Sequence, residues 1–330
     1  MAADHSVETE TARFERLFDA ANDLLYRHTS RAEKAFRDLL ETIPFEHKLT
    51  RARVMERLCI ALRILGHYHE AIQIGTDAMP LFESGNDDAG LGRVCVALGN
   101  VSWSQGDLLK ALAYYESALE IRRTLNDPKA LAGALGSVAN ILSELDRLPE
   151  AREHYEEALA LSESFDDKRF AARTHNNLGE CLLLMDECQA AMTHCEASLR
   201  AVRALGDRAD EPNVLINLGR IQTRLRQWQS ALDLLDEAAA AAVIAEDRRT
   251  EAEAMMHRAV LTEDRGREDP RYLGQAELFR QEALALTEEI GADNLSLLLH
   301  EHSAVAADRR GDKLKATAHW ASVNALKARR

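Results

Sequence analysis

A single period governs this chain. Leu98-Gly99-Asn100, Val138-Ala139-Asn140, Leu178-Gly179-Glu180 and Leu218-Gly219-Arg220 begin at positions separated by 40 residues. The turn positions Gly66, Gly106, Asp146, Asp186, Arg226 and Gly266 keep the same step, and so do Ala71, Ala111, Ala151, Ala191 and Ala231. The next alanines of that series, Ala276 and Ala316, are displaced by five residues, which places an insertion near 267–271 in the sixth unit. A further marker closes each unit: Asn86-Asp87, Asn126-Asp127, Asp166-Asp167, Gly206-Asp207 and Glu246-Asp247. A repeat of this length is one supersecondary unit that cannot bury its apolar face alone, so the chain must stack its copies.

Within a copy the apolar spacing is helical. Leu109, Leu112, Tyr115, Ala118 and Ile121 follow one another by three or four residues, one stripe of an amphipathic helix. The clearest copy reads as two helices, 89–105 and 108–125, joined by a turn short enough to force antiparallel packing. Gly99, Ala111 and their equivalents let the two axes approach. Tyr115, Tyr155, Cys195, Leu235 and Trp320, four residues after the alanine, supply the core between them. Six prolines and 5% aromatic residues agree with an all-α chain.

Charge and motifs narrow the function. The formal charge of −14, from 41 Lys and Arg against 55 Asp and Glu, argues against nucleic acid or an anionic membrane as partner. No apolar run reaches the roughly 20 residues of a membrane span, and the first residues lack the apolar stretch of an export signal. A cytoplasmic location is expected. Cys59, Cys95, Cys181, Cys188 and Cys195 read as reduced thiols on helix faces, since the seven-residue steps among the last three are wider than zinc-site spacing. His300-Glu301-His302 holds its histidines two apart, where a zinc-hydrolase helix needs them four apart. There is no phosphate-binding glycine loop and no nucleophile elbow. His175, at a core position of its unit, reads as a half-buried structural residue. A chain without catalytic activity, metal or other cofactor is expected.

The Leu-Gly pair in the first helix, with Ala, an aromatic and Ala in the second, resembles the tetratricopeptide repeat. The resemblance covers residues 50–328 in seven copies, with a period of 40 and without the usual proline after the second helix. Both departures match the long-helix variety of kinesin light chains, Leu-Gly-Asn adaptors, bacterial peptide receptors and sensory regions of bacterial signalling proteins. The resemblance implies a right-handed α-solenoid with a concave inner face, spanning 49–328. Residues 1–11 are expected to be a disordered tail, and 12–48 a divergent capping hairpin with Thr29-Ser30 as its helix cap. The last helix keeps Trp320, Val323 and Leu326 without a polar cap, so this end is expected to contact a second copy of the chain or a downstream domain beyond Arg330.

In that family the first helices line the concave face, and ligands contact side chains around the Leu-Gly pair. Aligned on the pair, one column reads Arg53, Arg93, Gly133, Arg173, Asn213 and Glu253, another Ile60, Asn100, Asn140, Glu180, Arg220 and Val260. The resulting candidate groove is Arg93, Asn100, Trp103, Asn140, Arg173, Asn176, Asn177, Asn213, Asn217, Arg220 and Arg224. An amide both donates and accepts, so recurring mid-helix Asn suits the backbone of an extended peptide, and Arg its carboxylates. The same amides also suit bonds between neighbouring units, and Trp103 suits either an aromatic platform or the core. The expectation is a protein- or peptide-binding scaffold with a locally basic inner face and an acidic peptide ligand. The alternative is the sensory input module of a cyclase, kinase or transcriptional regulator.

Overall fold

A computed structural model describes residues 10–162 and 164–328, which form two compact units divided between Phe165 and Asp166. The first holds α1 (Glu10–Leu24), α2 (Thr29–Thr42), α3 (Lys48–Ile64), α4 (Tyr68–Ser84), α5 (Asp88–Ser104), α6 (Leu108–Thr124), α7 (Pro128–Glu144) and α8 (Leu148–Ser162). The second holds α9 (Lys168–Leu184), α10 (Cys188–Leu205), α11 (Glu211–Arg224), α12 (Trp228–Ile244), α13 (Arg248–Glu268), α14 (Leu273–Glu289), α15 (Asp293–Arg309) and α16 (Lys313–Lys327). Among the described residues there is no strand. The fold is an all-α helical repeat of the solenoid class. The tail expected at 1–11 lies mostly outside the described residues, and α1 begins at Glu10.

Two bonding patterns cut the chain into helices. Gly66, Gly106, Asp146, Asp186 and Arg226 all take left-handed backbone conformations. Each follows a first helix, and the next residue's N–H reaches back five positions, as from His67 to Leu62 and from Glu187 to Leu182. This closes the helix while satisfying its last carbonyls. The acidic pairs work similarly at the other junction. Asn86, Asp166, Gly206 and Glu246 are left-handed, and Asp87, Asp127, Asp167 and Asp247 accept the first free N–H groups of the following helices.

In three hairpins a glycine of the first helix sits beneath a bulkier residue of the second. A methyl group added at Gly99 would stand 2.6 Å from the Tyr115 ring, and at Gly219 it would stand 2.7 Å from Leu235. At Gly179 the neighbour is Cys195 Sγ, 2.4 Å away. Glycine therefore sets the distance between the paired helices. Successive first helices also touch, α3 with α5, α9 with α11, α11 with α13 and α13 with α15, so first helices form the inner wall of each unit.

Two expectations are corrected, and one core position is a departure of its own. Thr29 is not a cap: it lies inside α2, its hydroxyl donating to the Leu25 carbonyl at 2.8 Å, and the capping position is His28. Gly266 is not a turn. It is buried within α13, which absorbs the insertion by lengthening to 21 residues before a short 3-10 turn, Pro270–Tyr272. Arg280 occupies the large core position of the sixth hairpin and is only 3% exposed. It is held by Glu263 and by Glu277 at 2.8 Å, because a buried guanidinium must be paired.

Gly99→Ala is expected to destabilise the protein by about 1–3 kcal/mol through overpacking against Tyr115. The check is the midpoint of urea unfolding followed by helical circular dichroism. An unchanged midpoint would show that glycine does not set the helix spacing.

Candidate functional site

The first unit commits its candidate groove residues to internal bonds. Arg93 Nε donates to Glu56 at 3.1 Å, tying α5 to α3. Trp103 Nε1 donates to Glu144 at 2.8 Å, tying α5 to α7, while its ring stays half-exposed. Asn100 and Asn140 have the same role in successive hairpins. Each accepts the hydroxyl of its own tyrosine, Tyr115 or Tyr155, at 2.6 Å. Their recurrence thus has a structural cause, because a buried phenol needs an acceptor. Burial pushes the Tyr115 hydroxyl up to about 12, so it remains a donor.

The second unit gathers the other candidates around an open space. A cavity of about 260 Å³ lies between α9, α11 and α13, lined by Arg173, Asn176, Asn177, Asn213, Asn217 and Glu253, with Glu180, Asp210 and, from α10, Ser198 and Val202. Asn217 is buried and fixed from two sides. Its amide donates to Asn176 at 3.1 Å, and its carbonyl oxygen accepts from Arg220 at 2.8 Å. Arg220 also pairs with Glu180 at 2.6 Å, and Arg224 pairs with Asp186 at 3.3 Å.

These pairings correct the expectation of a basic inner face. Arg93, Arg220 and Arg224 are each neutralised by a carboxylate one hairpin back. Among the described residues Arg173 alone of the four makes no ion pair. Opposed to it in the same cavity are Glu180, Asp210 and Glu253. Glu253, absent from the candidate set, stands in the column of Arg93 and Arg173, so its register was readable. Burial and the neighbouring Glu180 raise its carboxyl above the usual range. One turn further along α13, burial with Arg220 and His302 nearby pushes the His257 imidazole down to about 3.

Elsewhere the chemistry is structural. His175 meets His194 with Nδ1 atoms 2.9 Å apart, and His300 meets His319 at 3.0 Å, each pair joining the helices of one hairpin. Burial pushes the Cys59 and Cys195 thiols up to about 12 and that of Cys95 up to about 11, so they stay protonated. Among the described residues no cluster of three or more His, Cys, Asp or Glu is arranged to hold a metal ion, and no helix is long and apolar enough to cross a membrane. At the carboxyl end Val323 is buried inside its own unit, which removes it as a contact for another chain. Trp320 is partly exposed and donates to Asp308 at 3.1 Å, and Leu326 is half-buried.

The repeat matches known sequence models. Models described as the tetratricopeptide repeat cover residues 50–124, 92–164, 130–194 and 170–242, and another of the same description covers 214–271. The chain belongs to the tetratricopeptide-repeat family. No curated protein matches the sequence significantly. Similar folds occur among solved structures. The apo quorum sensor NprR from B. thuringiensis aligns with TM-score 0.71 at 14% identity, over 98% of this chain and 89% of that one. A signal-transduction ATPase with a tetratricopeptide repeat sensor from Pyrococcus horikoshii gives 0.70 at 15%, over 88% of this chain and 45% of that one. BtubC from P. vanneervenii gives 0.58 at 22%, over 71% and 92%. At these identities the likeness is one of fold.

The His257 environment predicts a pH response of this tetratricopeptide array. A folded-state value held below the ordinary imidazole value gives stability that is complete above about pH 6.5 and is lost as pH falls toward the folded value. At pH 5 the loss is on the order of 2 kcal/mol. Glu253 has the opposite sign, since a raised carboxyl contributes at low pH and loses its contribution as pH rises through the folded value. Urea unfolding at pH 7 and pH 5 should show the loss in the wild type and a smaller one in His257→Gln. Equal losses would remove His257 as the cause.

Proposed function

We propose that this tetratricopeptide chain is a non-catalytic scaffold that binds an extended peptide, free or as a segment of a protein, on the inner face of its second unit. The observation that carries the reading is the cavity between α9, α11 and α13, where Asn176, Asn177, Asn213 and Asn217 converge from two neighbouring helices. Amides supply both donors and acceptors, so such a wall suits a peptide backbone whatever its side chains. The Asn217 bonds to Asn176 and Arg220 hold part of that wall in place before any ligand arrives, which lowers the ordering cost of binding. A carboxylate on the ligand has its place opposite Arg173, and the acidic preference suggested by residue types narrows to that point.

A sensory role uses the same cavity. It is favoured by the likeness of fold to a quorum sensor and to a signal-transduction ATPase that carries a tetratricopeptide repeat sensor. The two readings part on what binding does to the array. Hydrogen exchange slowed only in α9, α11 and α13 marks a docking scaffold, whereas changes reaching helices distant from the ligand mark a sensor.

The test of the groove is a displayed library of random nonapeptides selected on the whole chain. Replacing Asn177 and Asn213 together by Ala should weaken the selected peptides by about tenfold or more, at roughly 1 kcal/mol per lost bond. Arg173→Ala should reduce the salt dependence of any peptide bearing a carboxylate. Glu156 and Glu157, on the second helix α8, serve as controls whose replacement leaves binding unchanged. Peptides that bind the double asparagine variant as tightly as the wild type would place the site elsewhere.

A further inference from the structure

The inner face of the second unit contains a second cavity, about 510 Å³, lined by Val260 and Arg267 of α13 and by Leu298, His302, Val305 and Arg309 of α15. Most of its charges are already satisfied: Asp264 pairs with Arg267 at 2.9 Å, Glu301 with Lys327 at 2.8 Å, and Arg224 with Asp186. Its uncovered apolar side chains are Leu298 and Val305, 42% and 38% exposed. The first cavity is the reverse. It is polar, and among the described residues the side chains of Glu253 and Asp210 make no hydrogen bond or ion pair there. Asp210 even stands at the capping position of α11 without accepting a capping bond. A half-buried carboxyl without a bonded partner is costly to charge. Glu253 has Arg220 and Arg249 near it but is bonded to neither, which leaves its oxygens open to a cationic group of a ligand.

Helix α13 is a wall of both cavities, with Glu253 in the first and Val260, seven residues on, in the second. Seven residues of helix span about 10 Å, and a neighbouring helix lies about 8–10 Å to the side. Val305, one helix beyond Val260, therefore lies roughly 14 Å from Glu253 on the diagonal, which an extended chain covers in about four residues, while Leu298 shares the register of Glu253 and lies nearer.

Resting on the groove reading above, we propose that the ligand is bipartite. A basic side chain or free amino terminus enters the first cavity against Glu253 and Asp210. An apolar side chain about four residues away covers Leu298 and Val305 in the second. Arg173, across the first cavity, receives a carbonyl or carboxylate of the same ligand. The specificity of the chain then lies in Glu253 and Leu298 rather than in the asparagines, which hold the backbone.

The same nonapeptide library tests this against the wild type, Glu253→Gln, Glu253→Asp and Leu298→Asn, each checked for helical content and unfolding midpoint. Wild-type selection should enrich a basic residue, or peptides displayed with a free amino terminus, together with an apolar residue three to five positions away. Glu253→Gln should weaken the selected peptides by about tenfold and abolish the basic enrichment while leaving the apolar one. Glu253→Asp should retain the basic enrichment, and Leu298→Asn should lose only the apolar one. Peptides that depend on Asn177 and Asn213 but carry neither feature, or that carry acidic residues instead, would overturn the bipartite ligand and leave the groove standing. A library yielding no peptide that depends on those asparagines would overturn the groove itself, and the bipartite ligand with it.

Discussion

The close contact of a bulkier side chain with a glycine on the paired helix, present in three of the hairpins, is the constraint on which the rest depends. Tyr115 over Gly99, Cys195 over Gly179 and Leu235 over Gly219 fix how near the two helices of a hairpin come. Once that distance is set, the next hairpin can dock only by presenting its own first helix to the previous one, and the inner wall follows. Dispersion contacts at this density are individually small and collectively decisive. They explain why a period in small residues is a better guide to this architecture than the total content of apolar ones.

Most of the fold was legible because its determinants are local. Helix spacing, the Gly-Ala marks and the acidic pairs each act within one hairpin or at its junction, and the helices predicted at 89–105 and 108–125 are Asp88–Ser104 and Leu108–Thr124 in the structure. The site was less legible because its bonds run between copies. Arg93 with Glu56, Arg220 with Glu180, Asn217 with Asn176 and Arg224 with Asp186 join residues 37 to 41 apart. Residue type alone marked these arginines as available cations. Comparing each residue with the one a repeat earlier would have shown opposite charges facing one another. Asn100 and Asn140 were misread for a simpler reason: the tyrosines that need them lie on the second helix, fifteen residues on.

The sixth hairpin shows how the architecture tolerates departure. Its first helix is longer, a 3-10 turn replaces the left-handed one, and Arg280 stands where others place Tyr, Cys or Leu. A charge at that position is held only because Glu263 and Glu277 converge on it, with Arg310 of α15 also 3.5 Å from Glu263. The hairpin thus exchanges apolar contact for a polar network reaching its neighbour. That lengthened first helix is also the wall common to the two cavities.

The polar bonds between successive first helices carry a consequence for how such a chain can change over evolutionary time. Apolar stacking treats the copies as equivalent, and by itself it would permit a hairpin to be duplicated, deleted or exchanged. The bonds of Asn217 and Arg220 to Asn176 and Glu180 do not. Each donor has its acceptor one copy earlier, so a transposed hairpin would bring an unmatched charge against its new neighbour. Repetition supplied the scaffold, but these bonds give the copies a fixed order, like the teeth of a key.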